Sequence, residues 1–374
     1  MTSPSDDRPD RTESTPTQPV PARAAPNQAE PDRTEPSRTE PTDNRGDSDY
    51  HGKIVRIAER LATWNGAVVV VAHQDPDGDA LGSALALSRA VRALGGRTIV
   101  PIEDPPAYLR FLLRDDDLSP ALATLPNDTL LVVLDVGEAA RVAGAPLDGA
   151  SYRINVDHHG TNDRFGDLVL VQPEAAATAQ IVKDLIDALP VAWSADLATP
   201  CLTGLLSDTG LLRFGNTDGA VLSCAGDLID AGVDYAELTD RLQSRPPGYF
   251  RMLGLVMNTV RFPLDGRVAL AHRTLAMQEE VGKDAGDGDD FVGLIRYAEG
   301  SVVAVLLKEA EDGVKLSVRA RAPISAQRIC LDLGGGGHVA AAGAKLHGAD
   351  LAAAETQVLE AVAREFARNA LDPV

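Results

Sequence analysis

The sequence predicts an α/β protein built as a larger N-terminal domain around a parallel sheet and a smaller C-terminal α/β domain. Three observations predict it. A chain of 374 residues exceeds one ordinary core and leaves room for two folded units and a tail. Continuous apolar runs rich in β-branched residues, such as 67–72, are those of strands buried on both faces. These runs alternate with helical periodicities, the pattern of an open sheet with helices on both faces.

Residues 1–49 are rich in Pro, Ser, Thr and charge, contain no aromatic residue and repeat Arg-Thr-Glu after Asp10, Asp32 and Ser37. Such a segment buries too little apolar surface to offset its chain entropy, so it is expected to be a disordered tail. The catalytic domain is expected over 50–234. Within it, helical patterns cover 54–64, 81–94, 176–189, 195–206 and 220–231. Strand patterns cover 67–72, 98–102, 129–134, 153–156 and 168–171. Residues 235–247 are expected to be a linker, because Pro246-Pro247-Gly248 cannot continue a helix. The smaller domain, 248–374, carries helical patterns at 249–260, 291–298 and 351–369 and strands at 267–272, 302–307 and 314–319. It also holds a polar loop at 282–290 and a glycine-rich loop at 334–337.

The formal net charge of -20 disfavours a broad surface for long duplex nucleic acid. It leaves room for a small anion in a pocket whose sign bound cations invert. Cys201, Cys224 and Cys330 have no paired spacing and read as buried thiols in a reducing compartment. No apolar stretch approaches the ~20 residues that cross a bilayer, and no secretory signal is visible, so a cytoplasmic protein without membrane contact is expected.

Four clusters of hard ligands each sit at the end of an apolar run. They are His73-Gln-Asp-Pro-Asp77-Gly-Asp79, then Asp135, then Asp157-His158-His159, and finally Asp208. Taken singly, Asp-Gly-Asp is a turn, Asp135 a helix cap and the triplet a solvated loop. Together they place carboxylates and imidazoles where an open α/β sheet gathers ligands, beyond the carboxyl ends of its strands. Several aspartates in one pocket cannot all stay ionised without a cation. The donor set suits Mn²⁺, Mg²⁺, Co²⁺ or Fe²⁺ better than a thiolate zinc site, and two ions bridged by a shared carboxylate would activate water.

These four clusters resemble the motifs of the DHH phosphoesterase superfamily, named for its Asp-His-His triplet. The segment from Gly334 through His338 to Gly343 is similar to the substrate loop of the DHH-associated C-terminal domain, and the resemblance spans all but the tail. Within the superfamily it is nearest to the nanoRNases (oligoribonucleases) and 3′-phosphoadenosine 5′-phosphate (pAp) phosphatases. The resemblance implies an active site in the cleft between the two domains and two divalent cations, with Mn²⁺ the first expectation. His73, Asp77 and Asp135 would hold one ion; Asp79, Asp135, His158 and Asp208 would hold the second. His159 would contact the scissile phosphate and Asp157 would orient the neighbouring imidazole. Arg319, Gly335, Gly336, Gly337 and His338 would hold the rest of the substrate, and the protein would be a homodimer.

For the glycine-rich loop, the residues alone allow a flexible linker or a nest of backbone amides cradling phosphate, with a following helix N-terminus adding to the field. No Gly-Lys-Ser/Thr follows it, which excludes a P-loop. Arg296 and Arg321 are further basic residues for which a solvated surface role is an equal reading. The activity implied is hydrolysis of dinucleotides and slightly longer oligonucleotides to mononucleotides, or of pAp to AMP. A cyclic-di-AMP phosphodiesterase is the alternative, and a metal-dependent nucleotide-binding regulator the non-enzymatic one. A pyrophosphatase of the same superfamily would need a Lys and Arg cluster where this chain has its glycines, and a processive exonuclease would need further domains.

Overall fold

The computed structural model describes residues 49–282, 285, 286, 288 and 290–369. The tail expected over 1–49 thus lies outside the described residues except for Asp49, as does part of the loop at 282–290. The first lobe is built on five parallel strands: β1 (Ala67–Val71), β2 (Arg97–Ile99), β3 (Leu130–Leu134), β4 (Tyr152–Asp157) and β5 (Leu168–Val171). Their order is β2-β1-β3-β4-β5. The chain therefore reverses direction across the sheet between β1 and β3. At such a switch point the loops leaving the two strands diverge and open a crevice at the carboxyl ends.

Helices α1 (Tyr50–Thr63), α2 (Gly78–Ala93) and α3 (Thr178–Asp187) cover one face, joined by α4 (Ala195–Asp208) and α5 (Gly219–Asp230). Ile57, Leu87, Ile181 and Leu202 pack there with Val68, Val70 and Val132. The opposite face differs from the expectation of helices on both sides. Val69, Val71, Leu131 and Val133 are covered by Leu122, Leu125, Val142, Leu147 and Phe165, which come from irregular segments. The alternation of strands and helices fails here because the long links from β2 to β3 and from β3 to β4 carry only short 3-10 turns, at Ala107–Leu112 and Ala139–Arg141.

Residues 235–247, expected to be a linker, contain α6 (Tyr235–Gln243), whose N-terminus is capped by the Asp234 carboxylate on the Glu237 amide. Only Ser244–Pro246 separates it from α7 (Pro247–Met257), and Pro247 sits at the start of that helix, where its missing N–H costs nothing. The diproline does end one helix, as expected, and it also starts the next.

The second lobe holds β6 (Val268–Arg273), β7 (Val303–Ala310), β8 (Gly313–Ala320), β9 (Gly336–Gly337) and β10 (Ala341–His347), ordered β6-β7-β8-β10-β9. Only the β6–β7 pair is parallel. One face packs on α10 (Ala326–Leu331) and α11 (Leu351–Arg368) through Ile329, Val358 and Phe366. The other packs on α7 and α9 (Phe291–Ile295) through Met252 and Phe291, with α8 (Leu275–Val281) adding Met277 at its border. The glycine-rich loop does not lead into a helix, as the sequence suggested, but into the β9–β10 hairpin. No helix among the described residues is long and apolar enough to cross a membrane.

Candidate metal centre

Each cluster reaches the rim by its own route. His73 follows β1 and is held by a bridge to Val142. Asp77 is the N-cap of α2, its carboxylate accepting from the amides of Asp79 and Ala80 at 3.0 and 3.1 Å. Asp135 follows β3, Asp157 ends β4, and Asp208 ends α4. The first three routes meet at the β1/β3 switch point, as the topology dictates. Asp208 arrives because α2 and α4 cross almost in contact. A Cβ on Gly82 would lie 2.3 Å from the Pro200 carbonyl oxygen, and one on Gly204 would lie 3.2 Å from Asp79 Cα and 2.6 Å from Ala179 Cβ of α3. Only glycine permits that approach.

The ligand atoms gather as two adjacent sets. His73, Asp77 and Asp135 lie within 4.8 Å of one another, and so do Asp79, His158 and Asp208. Asp135 joins them: its Oδ2 is 3.7 Å from His73 Nε2 and its Oδ1 is 3.6 Å from His158 Nε2. It occupies this place in the left-handed backbone region, at φ 61°, which for a residue with a Cβ is strain held by its surroundings. Its Oδ1 also accepts from the Thr178 hydroxyl at 3.0 Å.

The donor set fits divalent cations on several counts. His158 Nε2 is buried with no hydrogen-bond partner, although Asp208 Oδ2 lies 3.3 Å away. Burial drives the His158 pKa down, so this nitrogen presents a lone pair. Burial, and then repulsion from Asp135, Asp208 and Asp77, push the Asp79 carboxyl well above its usual range. The same combination, burial first and then Asp77 and Asp135, raises Asp208 to about 8. Such a cluster is unfavourable as apoprotein, and positive charge between the carboxylates would relieve it.

His159 lies beside these groups, 3.6 Å from Asp135 Oδ1 and in a third close set with Asp135 and His158, but a carboxylate engages it. Its Nδ1 is 2.8 Å from Asp157 Oδ1, and that hydrogen bond, against the opposing effect of burial, raises its pKa to about 9. Burial alone would raise Asp157; the hydrogen bonds from His159 and Asn162 outweigh it and hold the carboxyl below its usual range. A ring nitrogen that donates to a carboxylate is not available as a ligand, and the ring is left protonated at neutral pH.

The expected substrate residues lie in the second lobe. Strand register sets Arg319 opposite Ala341, and Ala342 opposite Gly337, so Arg319, Gly337 and His338 share one end of the sheet. His338 is exposed, its amide donating to the Ala341 carbonyl at 2.7 Å. The glycines serve the fold in different degrees. A Cβ on Gly335 would lie 2.2 Å from the Gly343 carbonyl oxygen, whereas one on Gly336 would meet open space.

Sequence reasoning missed three supports. The amides of Thr178 and Ala179, at the start of α3, donate to Asp79 at 2.6 and 2.8 Å. The Ala175 carbonyl lies 3.3 Å from His158 Nδ1 and can accept a hydrogen bond from it, and Asn162 Nδ2 donates to Asp157 Oδ2 at 2.6 Å. The first two carry no sequence signal, because a backbone group has no residue type, and Asn162 is one asparagine in a loop with nothing local to mark its partner.

Fold and site together define a phosphoesterase that works with divalent cations, and comparison with known proteins agrees. Residues 67–205 match the DHH family N-terminal domain and residues 272–368 match the DHHA1 domain. The chain belongs to the DHH family, whose enzymes depend on divalent cations. It is 52% identical to the bifunctional oligoribonuclease and PAP phosphatase NrnA of Thermus thermophilus, over 87% of this chain and 98% of that protein. With the NrnA of Bacillus subtilis it shares 24% identity over 80% of this chain and 95% of the relative. Its fold is shared with an exopolyphosphatase-related protein from Bacteroides fragilis, with a TM-score of 0.72 and 21% identity, covering 84% of this chain and 96% of the other.

Proposed function

We propose that this protein hydrolyses dinucleotides and slightly longer oligonucleotides to mononucleotides, and pAp to AMP, with two divalent cations held at the β1/β3 rim. The carrying observation is Asp135: one strained carboxylate shared between two adjacent ligand sets. The 52% identity to an oligoribonuclease and PAP phosphatase supports the substrate class and ranks it above a cyclic dinucleotide or a purely regulatory role.

In this reading His73, Asp77 and Asp135 hold one ion, and Asp79, Asp135, His158 and Asp208 hold the other, with Mn²⁺ the first expectation. When bound, the pair supplies Lewis acidity and lowers the pKa of water for in-line attack on phosphorus. The chain's own residues do the rest. Protonated His159 donates from Nε2 to a non-bridging phosphate oxygen as charge builds there, and Asp157 fixes its ring and its proton. Arg319, Gly335, Gly336, Gly337 and His338 hold the remainder of the substrate across the cleft, with domain boundaries near residues 234 and 248. Substrate length is limited to a few nucleotides by that clamp, and the net charge of -20 disfavours long duplexes. The same proposal places the protein in the cytoplasm as a homodimer.

A panel of pAp, a dinucleotide, a five-nucleotide RNA, cyclic di-AMP and pyrophosphate, each with Mn²⁺, tests the reading. Mononucleotides from the dinucleotide or AMP from pAp are expected. Turnover of cyclic di-AMP or pyrophosphate alone overturns it.

A further inference from the structure

Beyond Asp208 the chain enters a tight, fully specified turn. Leu211 and Leu212 have φ of 60° and 63°, and the amides of Arg213 and Phe214 both donate to the Thr209 carbonyl at 2.9 Å. Asn216 Nδ2 reaches back to the carbonyls of Asp208 and Ala176 at 3.1 and 3.2 Å. This turn presents Phe214 as an exposed ring backed by Gly210, where a Cβ would lie 2.4 Å from two of its carbons. An exposed aromatic fixed six residues beyond a candidate metal ligand has no packing role of its own.

Across from it, in the second lobe, is Arg296. Its guanidinium carbon lies 5.3 Å from the Phe214 ring centre and 4.9 Å from that of Tyr297, which is also exposed. Its backbone carbonyl accepts from Arg321 Nη2 at 2.7 Å, which ties it to the end of β8, the strand that carries Arg319. Several arginines of this acidic protein are paired with carboxylates: Arg89 with Asp117, Arg328 with Glu365, Arg368 with Asp332. Among the described residues no carboxylate lies within 4.0 Å of Arg296, and its one side-chain hydrogen bond is a long 3.4 Å to the Tyr297 hydroxyl. Two aromatic neighbours hold a guanidinium without consuming its in-plane donors, which match the oxygens of a phosphate.

We propose that Arg296, held by Phe214 and Tyr297, is the anchor for the phosphate that is not cut, and so makes the enzyme prefer nucleotides carrying a second phosphate. The inference rests on the hydrolase reading above and adds a specificity-determining residue to it. A substrate bound at the rim of the first lobe then engages the second lobe through Arg296 as well as through Arg319.

The test is steady-state hydrolysis with saturating Mn²⁺ of pApA, of ApA lacking the terminal phosphate, and of bis(p-nitrophenyl) phosphate. Arg296→Gln is expected to raise KM for pApA by about ten- to a hundredfold, the range of a charge-assisted phosphate contact, with kcat within about twofold. Its constants for ApA stay those of the parent protein, and Arg296→Lys recovers part of the pApA loss. Phe214→Leu, which removes the aromatic wall and keeps the cation, gives a smaller KM rise for pApA alone. Equal losses on pApA and ApA, or no change on either, overturn the subsite. Failure of the hydrolase reading looks different: the parent protein cleaves bis(p-nitrophenyl) phosphate but neither dinucleotide. The subsite is then read from inhibition of that cleavage, where Arg296→Gln must weaken pAp more than adenosine 3′-monophosphate, which lacks the phosphate that is not cut; equal weakening rejects it.

Discussion

The rim of the first lobe and the glycine-rich end of the second are built on opposite plans. At the rim, Asp79 and Asp157 are wholly buried, Asp135 nearly so, and each carboxylate is fixed by hydrogen bonds from α3, Thr178 or Asn162. At the far end, His338 and Val339 are exposed and the chain there is a short hairpin. Charge-stabilising chemistry gains from groups that are dry and fixed before reaction, whereas a substrate must be admitted and released. Changes at the rim should therefore act on kcat and on metal binding, and changes at the hairpin on KM.

The largest expected effect is at the shared ligand. Asp135→Asn should lower kcat by at least about a thousandfold at saturating Mn²⁺, measured on a dinucleotide, because both sets lose a carboxylate at once. Near-normal turnover would end the bridging proposal.

Next is Asp157→Asn, which should lower kcat by about ten- to a hundredfold. With the negative charge gone, the hydrogen bond that raises His159 to about 9 is no longer charge-assisted, so the alkaline limb of the pH–rate profile should move to lower pH. An unmoved limb would detach His159 from that limb.

The third prediction concerns the protein stripped of metal. Asp208 is raised to about 8 in the fold, so between about pH 4 and 8 the folded state binds more protons than the unfolded chain and stability falls as pH rises. His159, raised to about 9, gives a contribution present below its ordinary pKa and lost as pH rises from about 6.5 to 9. His158, depressed by burial, acts oppositely below about 6.5. Chelated protein should then melt lower at pH 8.5 than at pH 6.5, and Mn²⁺ should raise Tm most at the higher pH. A Tm indifferent to Mn²⁺ at both pH values would contradict the cation site.

Smaller again is Gly204→Ala, whose Cβ presses on Ala179 of α3 and on Asp79 of α2, where α4 carries Asp208 to the rim. A loss of about 1–3 kcal/mol in denaturant unfolding is expected, with weaker Mn²⁺ binding. Smallest is His338→Ala: a several-fold rise in KM with kcat nearly unchanged sharpens the comparison between the two regions, and a large fall in kcat breaks it.

The first sheet was legible because its strands are continuous apolar runs, and Val68–Val71 can be nothing but a strand buried on both faces. β10 was not, since Ala-Ala-Gly-Ala carries almost no strand signal and is extended only because β8 pairs along its length. The helix α6 was hidden by the diproline after it. The irregular cover on one face of the first sheet was likewise invisible, because loops that bury apolar side chains have no period.

By itself the sequence determined the inventory of the site: which residues are hard ligands, that each ends an apolar run, and that the pattern is that of the DHH family. Side-chain chemistry and short-range periodicity are local properties, so they survive in a one-dimensional record. The tertiary structure alone decided that Asp135 stands strained between both ligand sets, that His159 is held by Asp157, and that Arg296 meets Phe214. The first and third depend on distances between residues 23 to 82 positions apart, and the second on side-chain orientations at the end of β4, and only packing sets them.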